Sequence, residues 1–369
     1  MTLTSYRTLG RSGLAVSPLT LGTMTFGARR WGSGEAGSRA VFDAYVEAGG
    51  NVVDTADVYS GGESERMLGR FITESGLRDR LVLATKSGFS TQDGHPHAGG
   101  NGAKAIHTAL EGSLRRLGTD HVDLFWIHVW DKVTPAAEVL DTLGRLVAAG
   151  KIRYFGLSNV PAFYLAEMAT LARVHGVPGP IALQLEYSLA ERGIEREHLP
   201  AARAFGLGTM PWSPLAGGFL TGKYDRAAER ALSGPQLPAE AGSAAEAEPD
   251  ASGRLAGANP FGSSKFTERN WTILETLRRV ADEVGRSPAE VALAYLRARP
   301  GISSVVVGAN SVAQMQGHIA SLDIVLTAEQ TQALDAVSEP EPAYPYPIFS
   351  KAVNRMVFGS DVAGWDEQA

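Results

Sequence analysis

The 369-residue chain contains no cysteine, which excludes disulfides, thiolate zinc sites and cysteine nucleophiles. It has no excess of basic charge either. Its 34 Lys and Arg stand against 40 Asp and Glu, a net charge of −6, so neither a nucleic-acid partner nor an anionic membrane surface is expected. No apolar run reaches the roughly 18 residues of a spanning helix, and Met1 to Thr8 lacks the basic-then-apolar pattern of a secretory leader. The expectation is a soluble, cytoplasmic protein. Core-forming material is ample: 44 % of residues are apolar and 20 % charged, with 42 Gly and 19 Pro, which rules out wholesale disorder. The length accommodates one (β/α)8 barrel of about 250 residues with roughly 120 to spare, or two ordinary domains.

Eight short apolar runs recur along the chain: Leu19–Gly22, Asn51–Thr55, Leu81–Thr85, Val122–Ile127, Ile152–Leu157, Ile181–Leu185, Leu207–Met210 and Ile302–Val307. Stretches of helical period follow near Arg39–Ala48, Ser64–Ile72, Lys104–Leu117, Pro135–Ala148, Pro161–Val174, Glu195–Phe205, Thr267–Val284 and Val312–Ala320. Near-continuous apolar runs suit parallel strands buried on both faces, and eightfold strand–helix alternation predicts an α/β fold, a single (β/α)8 TIM-barrel domain over residues 1–369. Two segments break the rhythm. Asp225–Pro260 has no aromatic residue and no Val, Ile or Thr, and reads as a mobile loop insertion after the seventh strand. Glu339–Ala369 reads as a C-terminal extension, with Phe349, Val357, Phe358 and Trp365 expected to pack across the barrel.

Reactive groups of such barrels gather where strands end. Asp54 ends the second run, Tyr59 lies in the loop after it, Lys86 ends the third and His128 the fourth. Taken singly, Asp54 reads equally well as a helix cap, Tyr59 as an amphipathic surface anchor and Lys86 as a solvated rim charge. Together at successive strand ends they suit one reaction. A phenol is a poor acid at neutral pH; a buried ammonium beside it stabilises the phenolate, a carboxylate keeps that ammonium charged, and an imidazole orients a substrate oxygen.

The segments Gly22-Thr-Met-Thr-Phe-Gly27, Asp54-Thr-Ala-x-x-Tyr59-Ser, Ser64-Glu-x-x-Leu-Gly69, Gly156-Leu-Ser-Asn159 and Ser213-Pro-Leu-Ala-Gly-Gly-Phe-Leu-Thr-Gly-Lys-Tyr224, with Lys86 and His128, resemble the aldo-keto reductase superfamily from about Tyr6 to Ala336. The resemblance implies carbonyl reduction with a nicotinamide cofactor bound extended on a barrel. Carried over by position, Tyr59 is the general acid, Asp54 and Lys86 its tuning pair, and His128 the residue that orients the carbonyl. The chain is similar elsewhere to the potassium-channel beta-subunit branch, which has Asn where this chain has His128. By the same resemblance Gly22, Thr23, Met24 and Asp54 border the cofactor, and Ser158, Asn159 and Gln184 bind the nicotinamide carboxamide. Trp212 stacks on the ring, Ser213, Pro214, Leu215, Gly217 and Lys223 cover the pyrophosphate, and Gly308, Asn310, Gln314 and His318 meet the adenosine end. A frequent basic residue is missing there, and Gly317 and His318 replace the usual Glu and Asn. Lys223 and Arg254 are then the cations for a 2′-phosphate. NADP is the implied cofactor, with NAD use left open, and a small-molecule carbonyl the implied substrate; homo-oligomerisation is open. Trp31, Phe89 and Trp130, with Tyr344 and Tyr346, are candidates to line the substrate pocket.

Rival readings remain. Gly32-Ser-Gly34-Glu-Ala-Gly37 satisfies a dinucleotide fingerprint, yet about nine residues separate it from the preceding strand, against the tight strand–turn–helix that motif needs. Asp93-Gly-His95-Pro-His97 offers too few ligands for a metal; none is expected. Asp54 and Glu186 could serve a barrel glycosidase, which leaves Tyr59, Lys86 and Trp212 without a task. A cofactor-binding redox sensor or regulatory subunit with slow turnover is the alternative from a different class.

Overall fold

The structure, a computed structural model, describes residues 1–29, 31–224, 255, 265–360 and 362. Within Met1–Ser338, a hairpin of β1 (Arg7–Thr8) and β2 (Ala15–Val16) precedes eight parallel strands. These are β3 (Leu19–Gly22), β4 (Val52–Asp54), β5 (Val82–Ser87), β6 (Val122–Ile127), β7 (Ile152–Ser158), β8 (Ala182–Gln184), β9 (Gly208–Thr209) and β10 (Val305–Val307). From β3 to β9 each pairs with the next, and β10 pairs with β3. The two ends of the sheet meet where Thr209 bridges Ile302, with the Ser303 N–H donating to the Thr209 carbonyl at 2.8 Å and the Val306 N–H to that of Pro211 at 2.9 Å. The α/β barrel expected from the sequence is therefore present, with its eight strands in the expected places.

Alternation within each run explains why the runs are apolar throughout. Val53, Leu83, Phe125 and Leu157 pack outward with helix residues such as Phe71, Leu110 and Leu143. Val52, Val82, Leu124, Trp126 and Met210 face one another inside. Trp126 is fully buried, and its register partner is Gly156, where a Cβ would come within 2.3 Å of the indole. Leu9 and Val16 belong to the same inner cluster, so the hairpin closes off one end of it.

The surrounding helices are α1 (Glu35–Glu47), α2 (Glu63–Ser75), α3 (Ala103–Leu117), α4 (Ala136–Ala148), α5 (Ala162–His175), α6 (His198–Phe205), α7 (Glu268–Val284), α8 (Pro288–Arg297), α9 (Val312–Ala320) and α10 (Ala328–Ser338). The hairpin, α8 and α10 fall outside the strand–helix alternation and were not expected. α8 does carry a start signal, the capping box of Ser287 and Glu290 with Pro288 following. Glu339–Ala369 forms a second compact unit, in which Ser350 caps α11 (Lys351–Phe358). Apart from Leu255, the loop expected at Asp225–Pro260 lies outside the described residues, as does Trp365. Among the described residues no helix is long and apolar enough to cross a membrane.

Candidate active site

The register of β4, β5 and β6 sets Asp54 beside Ala84 and Lys86 beside Trp126, so the polar ends of three neighbouring strands share one rim. Ser64 braces this rim: its hydroxyl lies 2.8 Å from Thr23 Oγ1 and 3.0 Å from Thr55 Oγ1, and donates to the Thr23 carbonyl. Lys86 is fully buried. Its ammonium pairs with Asp54 Oδ2, donates to the Thr55 carbonyl at 2.8 Å and hydrogen-bonds Tyr59. Burial opposes the charged form of Lys86, but the charge of Asp54 and the bonds from Asp54 and Tyr59 outweigh it and hold the pKa above the ordinary lysine value. Gln184 Nε2 donates to the second oxygen, Asp54 Oδ1, at 3.0 Å. A carboxylate held on both oxygens and an ammonium with three partners leave little freedom in this unit.

Tyr59 opens a short turn in which Ser60 adopts a left-handed φ of 51°, its hydroxyl donating to the Phe26 carbonyl at 2.9 Å. His128 lies just past β6, 8 % exposed, its N–H donating to the Ser87 carbonyl at 2.8 Å. The imidazole meets Tyr59 edge-on at 5.8 Å and Phe89 at 4.8 Å between ring centroids. Burial, then the charge of Lys86, hold its pKa well below the ordinary histidine value, so it is neutral at physiological pH, with one N–H to donate. Its Nδ1 is buried without a hydrogen-bond partner among the described residues. The four residues singled out from the sequence thus come together: a phenol lies between a fixed ammonium and a neutral imidazole.

Asn159 ties the rest of the rim to this cluster. At a φ of 51°, its Nδ2 donates to the His128 carbonyl at 2.8 Å and to Ser158 Oγ at 3.0 Å, and its Oδ1 accepts from Trp212 Nε1 at 3.2 Å. Its carbonyl accepts from the Trp130 N–H at 3.2 Å. Trp212 is half-buried with its indole edge pinned. Beyond it, Ser213, Ala216, Gly217 and Gly218 all have positive φ, and Ser213 Oγ accepts from the Gly217 N–H at 3.0 Å. Gly217 has a φ of 67°, and a Cβ there would lie 2.8 Å from the Leu255 side chain, so a larger residue is strained at this position. Pro214 is buried and Leu215 half-buried in the same turn. Gly22, whose Cβ would lie 2.8 Å from Val306, leads through the buried Thr23 to Met24.

The adenosine-end candidates are tied up in their own loop. Gln314 Oε1 accepts from the Asn310 N–H at 2.8 Å, closing the first turn of α9, and the Asn310 amide donates to the Trp31 carbonyl at 2.8 Å. His318 Nε2 lies 3.2 Å from the Gly308 carbonyl. Lys223 is exposed, its ammonium 5.1 Å from the Tyr224 ring centroid, and Arg254 lies outside the described residues. Of the pocket candidates, Phe89 meets His128, whereas Trp130 packs on Phe163 and Tyr164 of α5 at 5.4 and 6.0 Å. Glu186, the glycosidase candidate, is paired with Lys265 at 2.7 Å. Gly34 caps α1, and a Cβ on Gly32 would strike the Thr25 carbonyl at 2.0 Å, so these glycines serve a tight turn. Among the described residues no group of three or more His, Asp or Glu could hold a metal.

Sequence reasoning passed over the carboxyls behind the cluster. Glu65, fully buried, accepts from Thr85 Oγ1 and Arg116 Nε, both at 2.6 Å, and Asp57 is buried near it. The only signal was their presence inside the segments that hold Tyr59 and Ser64.

A closed parallel barrel with a proton-carrying cluster on its rim defines a barrel enzyme. Residues 18–339 match the Aldo/keto reductase family, and the chain belongs to that family; it is an NAD(P)H-dependent oxidoreductase. It is 34 % identical over 334 residues to a norsolorinic acid reductase of Emericella nidulans, covering 88 % of this chain and 79 % of that protein. An aryl-alcohol dehydrogenase [NADP(+)] of Phanerodontia chrysosporium is 31 % identical, with 91 % and 86 % covered. An uncharacterized oxidoreductase, YrpG, of Bacillus subtilis is 33 % identical, with 90 % and 95 % covered.

Proposed function

We propose that this enzyme uses NADPH to reduce an aldehyde or ketone carried on an aromatic ring, with Tyr59 as the proton donor. The observation that carries the reading is the buried chain from Asp54 through Lys86 to Tyr59, which ends beside a neutral imidazole. Asp54, gripped by Gln184, keeps the Lys86 ammonium charged and in place. His128 donates its N–H to the carbonyl oxygen and turns that oxygen towards Tyr59. As the carbonyl carbon gains a C–H bond, the C=O π pair takes the Tyr59 proton, the phenol O–H breaks, and Lys86 stabilises the phenolate left behind. Phe89 against His128 supplies an apolar wall for a flat ring. The name of the aryl-alcohol dehydrogenase supports both the aromatic substrate and NADP.

The rim fits a nicotinamide cofactor, with a half-buried indole of fixed orientation and a turn whose Gly217 and Gly218 adopt left-handed φ. Trp212 would carry the ring, with Ser158, Asn159 and Gln184 at its carboxamide. Gly22, Thr23 and Met24 would border it, and Ser213, Pro214, Leu215, Gly217 and Lys223 would cover the phosphates. Gly308, Asn310, Gln314 and His318 would meet the adenosine. When bound, the nicotinamide supplies the hydride. The test is multiple-turnover loss of NADPH absorbance with matched aromatic and aliphatic aldehydes and ketones. The expected result is sustained turnover with a preference for the aromatic series. Tight NADPH binding without turnover would instead identify a sensor.

A further inference from the structure

Between Asp54 and Tyr59 lies a carboxyl for which the mechanism above has no use. Asp57 is 4 % exposed. Its N–H donates to the Lys86 carbonyl at 3.1 Å, and two residues on, the Tyr59 N–H donates to the Ala56 carbonyl at 3.2 Å. The Asp57 carboxyl accepts from the Val58 N–H, while its Oδ1 is buried with no hydrogen-bond partner among the described residues. Three charged groups face it: Glu65 from α2, Arg116 from α3 and Lys86 from β5. Both cations have nearer anions, since Arg116 is bonded to Glu65 at 2.6 Å and Lys86 is paired with Asp54. Ionising Asp57 therefore places a further negative charge in a buried site whose positive charges are already matched. Burial first, then Glu65, push Asp57 up to about 7, against the smaller pulls of Arg116 and Lys86.

We propose that Asp57 is a positioning residue that acts on Tyr59 through Lys86: protonated, it leaves the ammonium to the phenol, and ionised, it opposes the phenolate and slows carbonyl reduction. The proposal rests on Tyr59 as the acid. The charge sits on the turn that joins Asp54 to Tyr59, buried at 4 % exposure, where screening by salt is weak.

The experiment is the pH dependence of kcat for NADPH-driven reduction of an aromatic aldehyde by the wild type, Asp57→Asn and Tyr59→Phe. The wild type and Asp57→Asn should agree at pH 6, and Asp57→Asn should be faster by about sixfold at pH 8.5, the effect of a unit charge about 10 Å away in a medium of effective dielectric about 30. KM should stay unmoved. A ratio that stays constant with pH, with Tyr59→Phe inactive, overturns the role of Asp57 alone; an active Tyr59→Phe overturns the reading of Tyr59 itself. Difference infrared spectroscopy of the wild type gives a readout independent of turnover. A protonated-carboxyl band that fades between pH 6 and pH 8 and is missing from Asp57→Asn supports the proposal, and its absence at pH 6 overturns it.

Discussion

The substitution Asp57→Asn should change how the stability of the barrel depends on pH. In the folded protein Asp57 holds its proton up to about pH 7, whereas in the unfolded chain it releases it near 3.8. Over that interval the folded state binds the extra proton, so stability falls as pH rises. The contribution is intact below pH 3.8 and gone once pH passes about 7. At about 1.4 kcal/mol per pH unit the loss reaches about 4 kcal/mol at pH 8. An isosteric neutral amide does not incur it. Asp57→Asn should therefore exceed the wild type by about 2 kcal/mol at pH 5 and by about 4 kcal/mol at pH 8. Urea unfolding of both proteins at the two pH values, with slopes compared to exclude a change in the unfolded state, gives the difference directly. A gap that does not widen between pH 5 and pH 8, or a less stable variant at pH 8, would refute the reasoning.

Two further substitutions probe the site. Lys86→Met should reduce turnover at least about a hundredfold and destabilise the fold by about 3–5 kcal/mol, because it leaves Asp54 buried without its ammonium. Adding Asp54→Asn should recover much of the stability and none of the turnover, as seen by urea unfolding and NADPH oxidation. Phe89→Ala should raise KM for aromatic carbonyls about tenfold, the loss of one ring contact, while aliphatic aldehydes of similar size change little; equal losses in both series would remove Phe89 as the aromatic wall.

The barrel was legible in the sequence because every strand is buried on both faces, so Val52 and Val53, or Leu124 and Phe125, are apolar although they point opposite ways. The polar cluster on the rim was legible for a related reason. Asp54, Lys86 and His128 are polar residues at the ends of such runs, where hydrophobic continuity stops abruptly. What escaped were arrangements made by distant packing. Asp57 acquires its setting from Glu65 and Arg116 on two different helices, and Glu186 acquires Lys265 from a segment far along the chain. The sequence shows Asp57 as an ordinary charge and Glu186 as a carboxylate at a strand end, with no sign of either partner. The hairpin and α8 were missed because they sit outside the repeating unit that organised the reading. The packing of Trp130, one of the candidate pocket aromatics, on Phe163 and Tyr164 of α5 is likewise a product of distant packing.

The account turns on one hydroxyl. The most direct test measures single-turnover oxidation of bound NADPH by an aromatic aldehyde in the wild type and in Tyr59→Phe, with NADPH affinity followed in parallel by tryptophan quenching. The account predicts unchanged affinity and a rate reduced by at least about a thousandfold, the scale on which a positioned proton donor contributes. A Tyr59→Phe enzyme that binds NADPH and oxidises it at the wild-type rate would contradict it.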